Sequence, residues 1–240
     1  MNPILIQGAE DSEIDFFIQN LENKEKVIIG KFEFFKGNFD KIPVVISKTK
    51  VGEINSSAAT AIGILSFSPK CIINQGTAGG HGKNVHKGEF AVCEKYIQLN
   101  SYYSEYLEEG KGYSIDNWII KDYGRDEELK NYQFADKKIL DLAKEILPNI
   151  SNSKVHFGII GSGDIWNREC DRILYLNNKF NTTCEEMEIA GVYKTANNFN
   201  IPVIGIRIIS NNEVLKEEYS PEIAKECQKL VYEFIKRMEI

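Results

Sequence analysis

A chain of 240 residues, 42% of them hydrophobic and 27% charged, is long enough for one substantial core. Its six prolines are scattered, so no linker separates two domains, and a single domain over residues 1–240 is expected. A net charge of −6 does not favour a face for nucleic acid, and no apolar stretch reaches the roughly 18 residues that a membrane helix needs.

The chain opens with MNPILIQGAEDSE, which turns acidic at Glu10 and lacks the basic region of a signal peptide. Residues 4–7 read as a first strand and 10–21 as a helix. Residues 24–41 read as a hairpin with Gly37-Asn38 as its turn. A strand over 43–47 leads to a helix over 52–65, and strands over 71–74 and 90–96 follow. The polar stretch 100–133 carries six tyrosines and no clear period, as a packed surface loop or an interface would. A helix over 135–147, a strand over 155–160, a helix over 186–197 and a strand over 203–209 come next. The last helix, 221–238, has Ser220 as N-cap, Pro221 at N1, and one stripe of Ile223, Cys227, Leu230, Val231, Phe234 and Ile235. This alternation implies an α/β fold of three layers, αβα, around a mixed, mostly parallel central sheet. The five cysteines are widely spaced without a CxxC pair, which points to reduced thiols in a cytoplasmic protein. His81, His86 and His156 lack metal-ligand spacing, so neither a metal nor a cofactor is expected.

Chemistry in an open α/β sheet gathers beyond the carboxyl ends of its strands, and three such ends carry suitable residues. ILIQGAEDSE brings Glu10, Asp11 and Glu13 to a helix start, where acids also serve as ordinary dipole partners. INQGTAGG, residues 73–80, is a loop of small residues that lets backbone approach a ligand. CEEMEIAGV, residues 184–192, crowds Glu185, Glu186 and Glu188 at the start of an apolar helix, where residues two apart project in different directions.

Together with KGEFAV, GIIGSGD and IPVIGIRIIS, these segments resemble the nucleoside phosphorylase superfamily, in particular its methylthioadenosine/S-adenosylhomocysteine nucleosidase branch, from Ile4 to the last helix. The resemblance implies a nucleoside phosphorylase-like fold and a purine nucleoside hydrolase. In it Glu13 matches the carboxylate that activates water, and Glu188 the one that grips the ribose hydroxyls. Met187 packs on the sugar, Glu186 belongs to the same acidic triplet, and Ala9 lies in the first strand-end loop. Thr77, Ala78 and Gly79 lie beside base and ribose. Trp166 matches a ring that stacks on the purine, Asn167 follows at the base edge, and Ser210 matches a serine that orients the catalytic acid. The resemblance also implies a homodimer in which Tyr103 and Tyr106 close the neighbour's 5′ pocket, with Tyr219 covering it from the same chain.

Two positions depart from that pattern. Where the nucleosidases carry the aspartate that protonates N7 of adenine, this chain has Asn211, and an amide cannot deliver a proton. The base is then either a 6-oxopurine, with Asn211 accepting from N7–H and donating to O6, or adenine cleaved without a direct acid. Asn212 or Glu213 could face the base instead. The second departure is Glu10, where an apolar residue of the 5′ pocket is usual, although Val51 beside it keeps that character. Neither QGAEDSEIDFF nor CIINQGTAGG holds the arginine a phosphorylase needs, and Asp11 and Glu13 would repel phosphate. Water is therefore favoured as nucleophile over a purine nucleoside phosphorylase reaction. A non-catalytic nucleoside-binding or storage protein is the reading from a different class.

Overall fold

Residues of the central strands are buried at nearly every position because both faces of the sheet are covered. In the computed structural model, which describes residues 2–112, 118–121 and 133–238, β1 (Ile4–Gly8), β4 (Ile42–Lys48) and β5 (Cys71–Gly80) lie side by side and parallel. Ile4, Ile6, Val44, Ile46, Cys71 and Ile73 face one core, and the alternate residues Leu5, Val45 and Ile72 face another. That is the period of two expected of pleated strands buried on both sides.

The ten-stranded sheet runs β11-β10-β6-β12-β5-β1-β4-β3-β2, with β9 (Gln133–Phe134) beside β6. Here β2 is Glu22–Ile29, β3 Phe32–Phe39, β6 Phe90–Gln98, β10 Val155–Ser162, β11 Thr182–Glu186 and β12 Val203–Asn211. Two parallel blocks, β4-β1-β5-β12 and β6-β10-β11, meet where β12 pairs antiparallel with β6. The end of β5 also pairs antiparallel with β11, which bends the two blocks toward each other at their carboxyl ends. Tyr102–Tyr103 (β7) and Ile119–Ile120 (β8) form a separate two-stranded pairing.

On one face lie α1 (Asp15–Gln19), α3 (Lys137–Ile150) and α6 (Ala224–Arg237), whose Phe17, Ile139, Ala143, Leu147, Val231 and Phe234 complete the first core. On the other lie α2 (Glu53–Phe67) and α5 (Ile189–Asn198), with Ile64, Val192 and Tyr193 in the second core. The two helices pack closely enough that a Cβ on Gly191 would meet the Glu53 carbonyl at 2.3 Å. The fourth helix, α4 (Cys170–Phe180), packs against β11.

Several local expectations need correction. The hairpin turns at Gly30-Lys31, where Gly30 has a φ of 61°, whereas Gly37-Asn38 sits inside β3 paired with Val44 and Pro43. Gly37 instead permits close packing, since a Cβ there would lie 2.4 Å from the Glu22 carbonyl. The helix expected over 10–21 is a 3-10 turn at Asp11–Glu13 followed by one short helical stretch. The helix expected from 186 starts at Ile189, because Thr182–Glu186 continues the sheet as β11. Parts of the tyrosine-rich stretch, 113–117 and 122–132, lie outside the described residues.

Candidate active site

The turn after β1 folds Glu13 back over the strand end. Its Oε2 accepts from the Ala9 amide at 2.8 Å, while Oε1 accepts from the Thr77 amide at 2.8 Å and the Thr77 hydroxyl at 3.2 Å. The Gln75 side-chain amide donates to the Glu13 carbonyl at 2.7 Å and fixes the turn from β5. Gly76 makes this approach possible: a Cβ there would lie 2.5 Å from Glu13 Oε1. Burial pushes the Glu13 pKa up, opposed by the Thr77 amide, the Arg207 charge and the Ala9 amide.

Glu188 stands at the foot of α5 and receives the Gly52 amide at 3.0 Å on Oε1. Gly52 has a φ of 100° and precedes α2, so the first free N–H of that helix points at the carboxylate. Burial, and then the neighbouring carboxylates of Glu186 and Glu13, raise the Glu188 pKa to about 8. Glu186 has a different environment. Its carboxylate accepts the amides of Glu188 and Ile189 and holds Arg207 Nη2 at 2.5 Å. Arg207 is buried in β12 and bonds also to the Asn74 carbonyl at 3.1 Å and to the Asn74 side chain. Glu186 is thus held in an internal ion pair while it borders the pocket.

A pocket opens between these groups. The sequence-derived residues Ala9, Glu10, Glu13, Val51, Thr77, Ala78, Gly79, Trp166, Asn167, Glu186, Met187, Glu188, Ser210 and Asn211 all border it. Ile165, Glu185 and Tyr219 join them. Tyr103 and Tyr106 do not; both are exposed on the same chain away from this pocket. Trp166 stands exposed at the mouth, its ring edge-on to Tyr219 at 5.2 Å between centroids. Asp11 points outward to Lys48 at 2.7 Å, so the sequence-based expectation that it repels phosphate from the site has no geometric basis.

At the far end of β12 a bulge at Ser210 shifts the register, so that Ile209 pairs with Ala78 and Asn211 with Gly79. Ser210 Oγ lies 3.0 Å from Asn211 Oδ1 and 3.2 Å from the Ala78 carbonyl. Asn211 Nδ2 faces Glu213 Oε1 at 3.4 Å. Asn212 turns the other way: Nδ2 donates to the carbonyls of Gly82 and Val85, and Oδ1 accepts from the amides of Val214 and Leu215. All its capacity is spent on the loop. Glu213 is paired with Arg168 at 2.9 Å and stays outside the pocket lining. Of the three side chains considered for the base, only Asn211 borders the cavity.

Sequence reasoning missed Arg207, because one charge in a nine-residue apolar strand resembles an outward-facing residue. Glu185 was noted only as one of three crowded acids. A strand, unlike a helix, points Glu185 and Glu186 to opposite faces, and this separates their environments.

Known proteins resemble this chain along nearly its whole length. The 5′-methylthioadenosine/S-adenosylhomocysteine nucleosidase of Bacillus licheniformis is 26% identical over 98% of this chain and 99% of its own length. The nucleosidase of the same description from Psychromonas ingrahamii is 27% identical over 97% and 98%. The crystal structure of the Neisseria meningitidis 5′-methylthioadenosine/S-adenosylhomocysteine nucleosidase in complex with methylthio-immucillin-A has the same fold, with a TM-score of 0.82, 24% identity, and 99% and 100% of the two chains covered. One sequence-family profile matches residues 3–237, and the chain belongs to the Phosphorylase superfamily.

Proposed function

We propose that the protein is a purine nucleoside hydrolase of the methylthioadenosine/S-adenosylhomocysteine nucleosidase type, in which Glu13 activates water and Glu188 holds the ribose. The observation that carries this reading is the pair of buried carboxylates on one pocket, each fixed by backbone amides rather than by a cation. Cleavage of an N-glycosidic bond passes through an oxocarbenium-like sugar. Two carboxylates beside that sugar favour the developing positive charge.

A carboxylate offers about four lone-pair positions. Three on Glu13 are taken by Ala9 and Thr77, which leaves one for a water. That water loses a proton to Glu13 as its oxygen bonds to C1′. The C1′–N9 bond breaks and its electron pair moves into the base. Asn211 stands where that pair must be stabilised, held by Ser210. Hydrogen bonding by the amide, or proton delivery through water, serves here in place of a direct acid.

Water is a better nucleophile than phosphate for this pocket. Arg207, the arginine behind it, is consumed by Glu186 and Asn74, and the pocket lining offers a phosphate dianion carboxyl groups and no cation. Incubation with purine nucleosides, with and without phosphate, should release free ribose sugar at equal rates. A ribose 1-phosphate product would overturn the hydrolase reading.

The same reading makes the protein a symmetric homodimer in the cytoplasm, with Tyr103 and Tyr106 of each chain completing the other's 5′ pocket. It is supported by their exposure of 40% and 87% and by the open side of the pocket at Val51 and Glu10. No helix among the described residues is long and apolar enough to cross a membrane. Sedimentation at micromolar concentration should give a dimer, and a fully active monomer would exclude a shared site.

A further inference from the structure

The reaction above uses Glu13, Glu188 and Asn211, and the fold consumes Glu186. Glu185 has no such duty, yet it is 9% exposed and borders the pocket. It lies on β11 opposite Gly79, and Asn211 lies on β12 opposite the same Gly79. Neighbouring strands are about 4.8 Å apart, so the two side chains start about 10 Å apart and flank a residue that has no side chain of its own. A Cβ on Gly79 would reach the Asn211 amide at 3.8 Å, which shows how closely a planar group over this glycine would approach Asn211.

Behind Glu185 stands His81, 1% exposed, with Nδ1 2.7 Å from the Thr182 hydroxyl. Its Nε2 is buried without a hydrogen-bond partner and lies 3.5 Å from Glu185 Oε2. Asn167 Nδ2 approaches the same oxygen at 3.4 Å, while Asn167 Oδ1 is fixed by the Glu169 amide. These long contacts hold the carboxylate in place without saturating it. A buried carboxylate needs donors, and an ionised one can only accept.

We infer that Glu185, positioned by His81 and Asn167, is a specificity residue that reads the N1–H edge of a 6-oxopurine, making 6-oxopurine nucleosides the substrate class. This rests on the hydrolase reading for the reaction but not for the base contact itself. A 6-oxopurine presents donors at N1, and also at the 2-amino group in guanine, where Glu185 supplies acceptors. On the opposite side, Asn211 donates to O6 through Nδ2, and its Oδ1 accepts from N7–H of the departing base once N7 has taken a proton from water. Each of these atoms keeps capacity beyond its contact with Ser210 or Glu213. Adenine fits neither side: its N1 lone pair faces the carboxylate, and its 6-amino group sets donor against donor at Asn211 Nδ2. A site built to pair a polar group rejects the analogue lacking it by large factors, because its own buried atoms are left unpaired.

The test has a binding arm and a kinetic arm. Titration calorimetry of the wild-type protein with free hypoxanthine, guanine and adenine should show the two 6-oxopurines binding at least about tenfold more tightly than adenine. Adenine binding as well or better, or no base binding at all, overturns the inference. For turnover, kcat/KM on inosine should exceed that on adenosine, and Glu185→Gln should lower the inosine-to-adenosine ratio about 10- to 100-fold, since a glutamine can offer a donor to adenine N1. His81→Gln should lower the ratio less and act mainly through KM, as expected of a positioning residue. An unchanged ratio in a folded Glu185→Gln protein also overturns the inference. Preference for hypoxanthine without cleavage of any nucleoside would sink the hydrolase reading and leave this one standing. Faster cleavage of adenosine than of inosine would do the reverse.

Discussion

Replacing Glu13 by glutamine keeps the volume of the side chain and removes its charge, but the structure shows that the change is not silent to the fold. The carboxylate accepts one backbone amide on each oxygen, from Ala9 and from Thr77, both at 2.8 Å. Glutamine has one oxygen, so one of these amides must face an NH₂ group. A buried donor left unpaired costs about 1–3 kcal/mol. Burial already penalises the ionised carboxylate, whose pKa is pushed up, and removing the charge offsets part of that loss at neutral pH. At about 2–4 °C per kcal/mol for a chain of this size, the melting temperature should fall by no more than roughly 10 °C. The catalytic effect should be larger. Loss of a general base costs about 10²–10⁴-fold in kcat, or roughly 2.7–5.5 kcal/mol of barrier. Initial rates of free base release, measured beside a thermal melt, separate the two effects. A Glu13→Gln protein that turns over within tenfold of wild type would refute the assignment of Glu13 as base.

Glu188→Gln should likewise lose most turnover, and it carries a pH signature. A carboxylate whose folded pKa is raised contributes stability that is full below its ordinary value of 4.5 and is lost as pH rises through about 8. The ligand-free wild type should therefore lose melting temperature between pH 5 and 8 more steeply than Glu188→Gln, and parallel curves would contradict the burial argument. Gly76→Ala places a methyl 2.5 Å from Glu13 Oε1 and must push the carboxylate off its amides. A misplacement on that scale should cost about 10²-fold in kcat with the protein still folded, and an unchanged rate would show that Glu13 need not be held in place.

The residues that the chain makes legible are those whose chemistry is local. Glu13 follows a strand and a small-residue turn, and α6 shows its stripe, although it begins at Ala224 after a 3-10 turn over Pro221–Ile223 in which the Ser220 side chain makes no cap. What was missed depends on partners distant in sequence. Gly37 looks like a turn residue until Leu21 and Glu22 are found packed on it, so the turn passes to Gly30, the one of these two with open space and a positive φ. Residues 182–186 look like a helix start because the helix that follows is apolar, and only pairing with β10 and with Gly79 and Gly80 makes them a strand. That one difference separates the roles of Glu185, Glu186 and Glu188, which no periodicity within the segment could reveal.

Five carboxylates, Glu10, Glu13, Glu185, Glu186 and Glu188, border one pocket, and such crowding is tolerable only because of what stands behind it. Arg207 cancels Glu186 directly and draws the Glu13 and Glu188 pKa values down against burial, without facing the cavity. Backbone amides from Ala9, Gly52 and Thr77 supply partial positive charge to Glu13 and Glu188 but carry no full charge into the cavity. The pocket as seen by a ligand therefore offers carboxyl groups and no cation. It stabilises a sugar that is becoming cationic, and it opposes the approach of a dianion from the same side. Removing the internal cation should then be worse than removing any one carboxylate. Arg207→Met leaves Glu186 buried beside Glu188 with no counter-ion, a loss of about 3–5 kcal/mol. Restoring neutrality with Arg207→Met and Glu186→Gln together should recover much of that stability. If the double variant melts no higher than the single one, Arg207 acts by packing and not by charge.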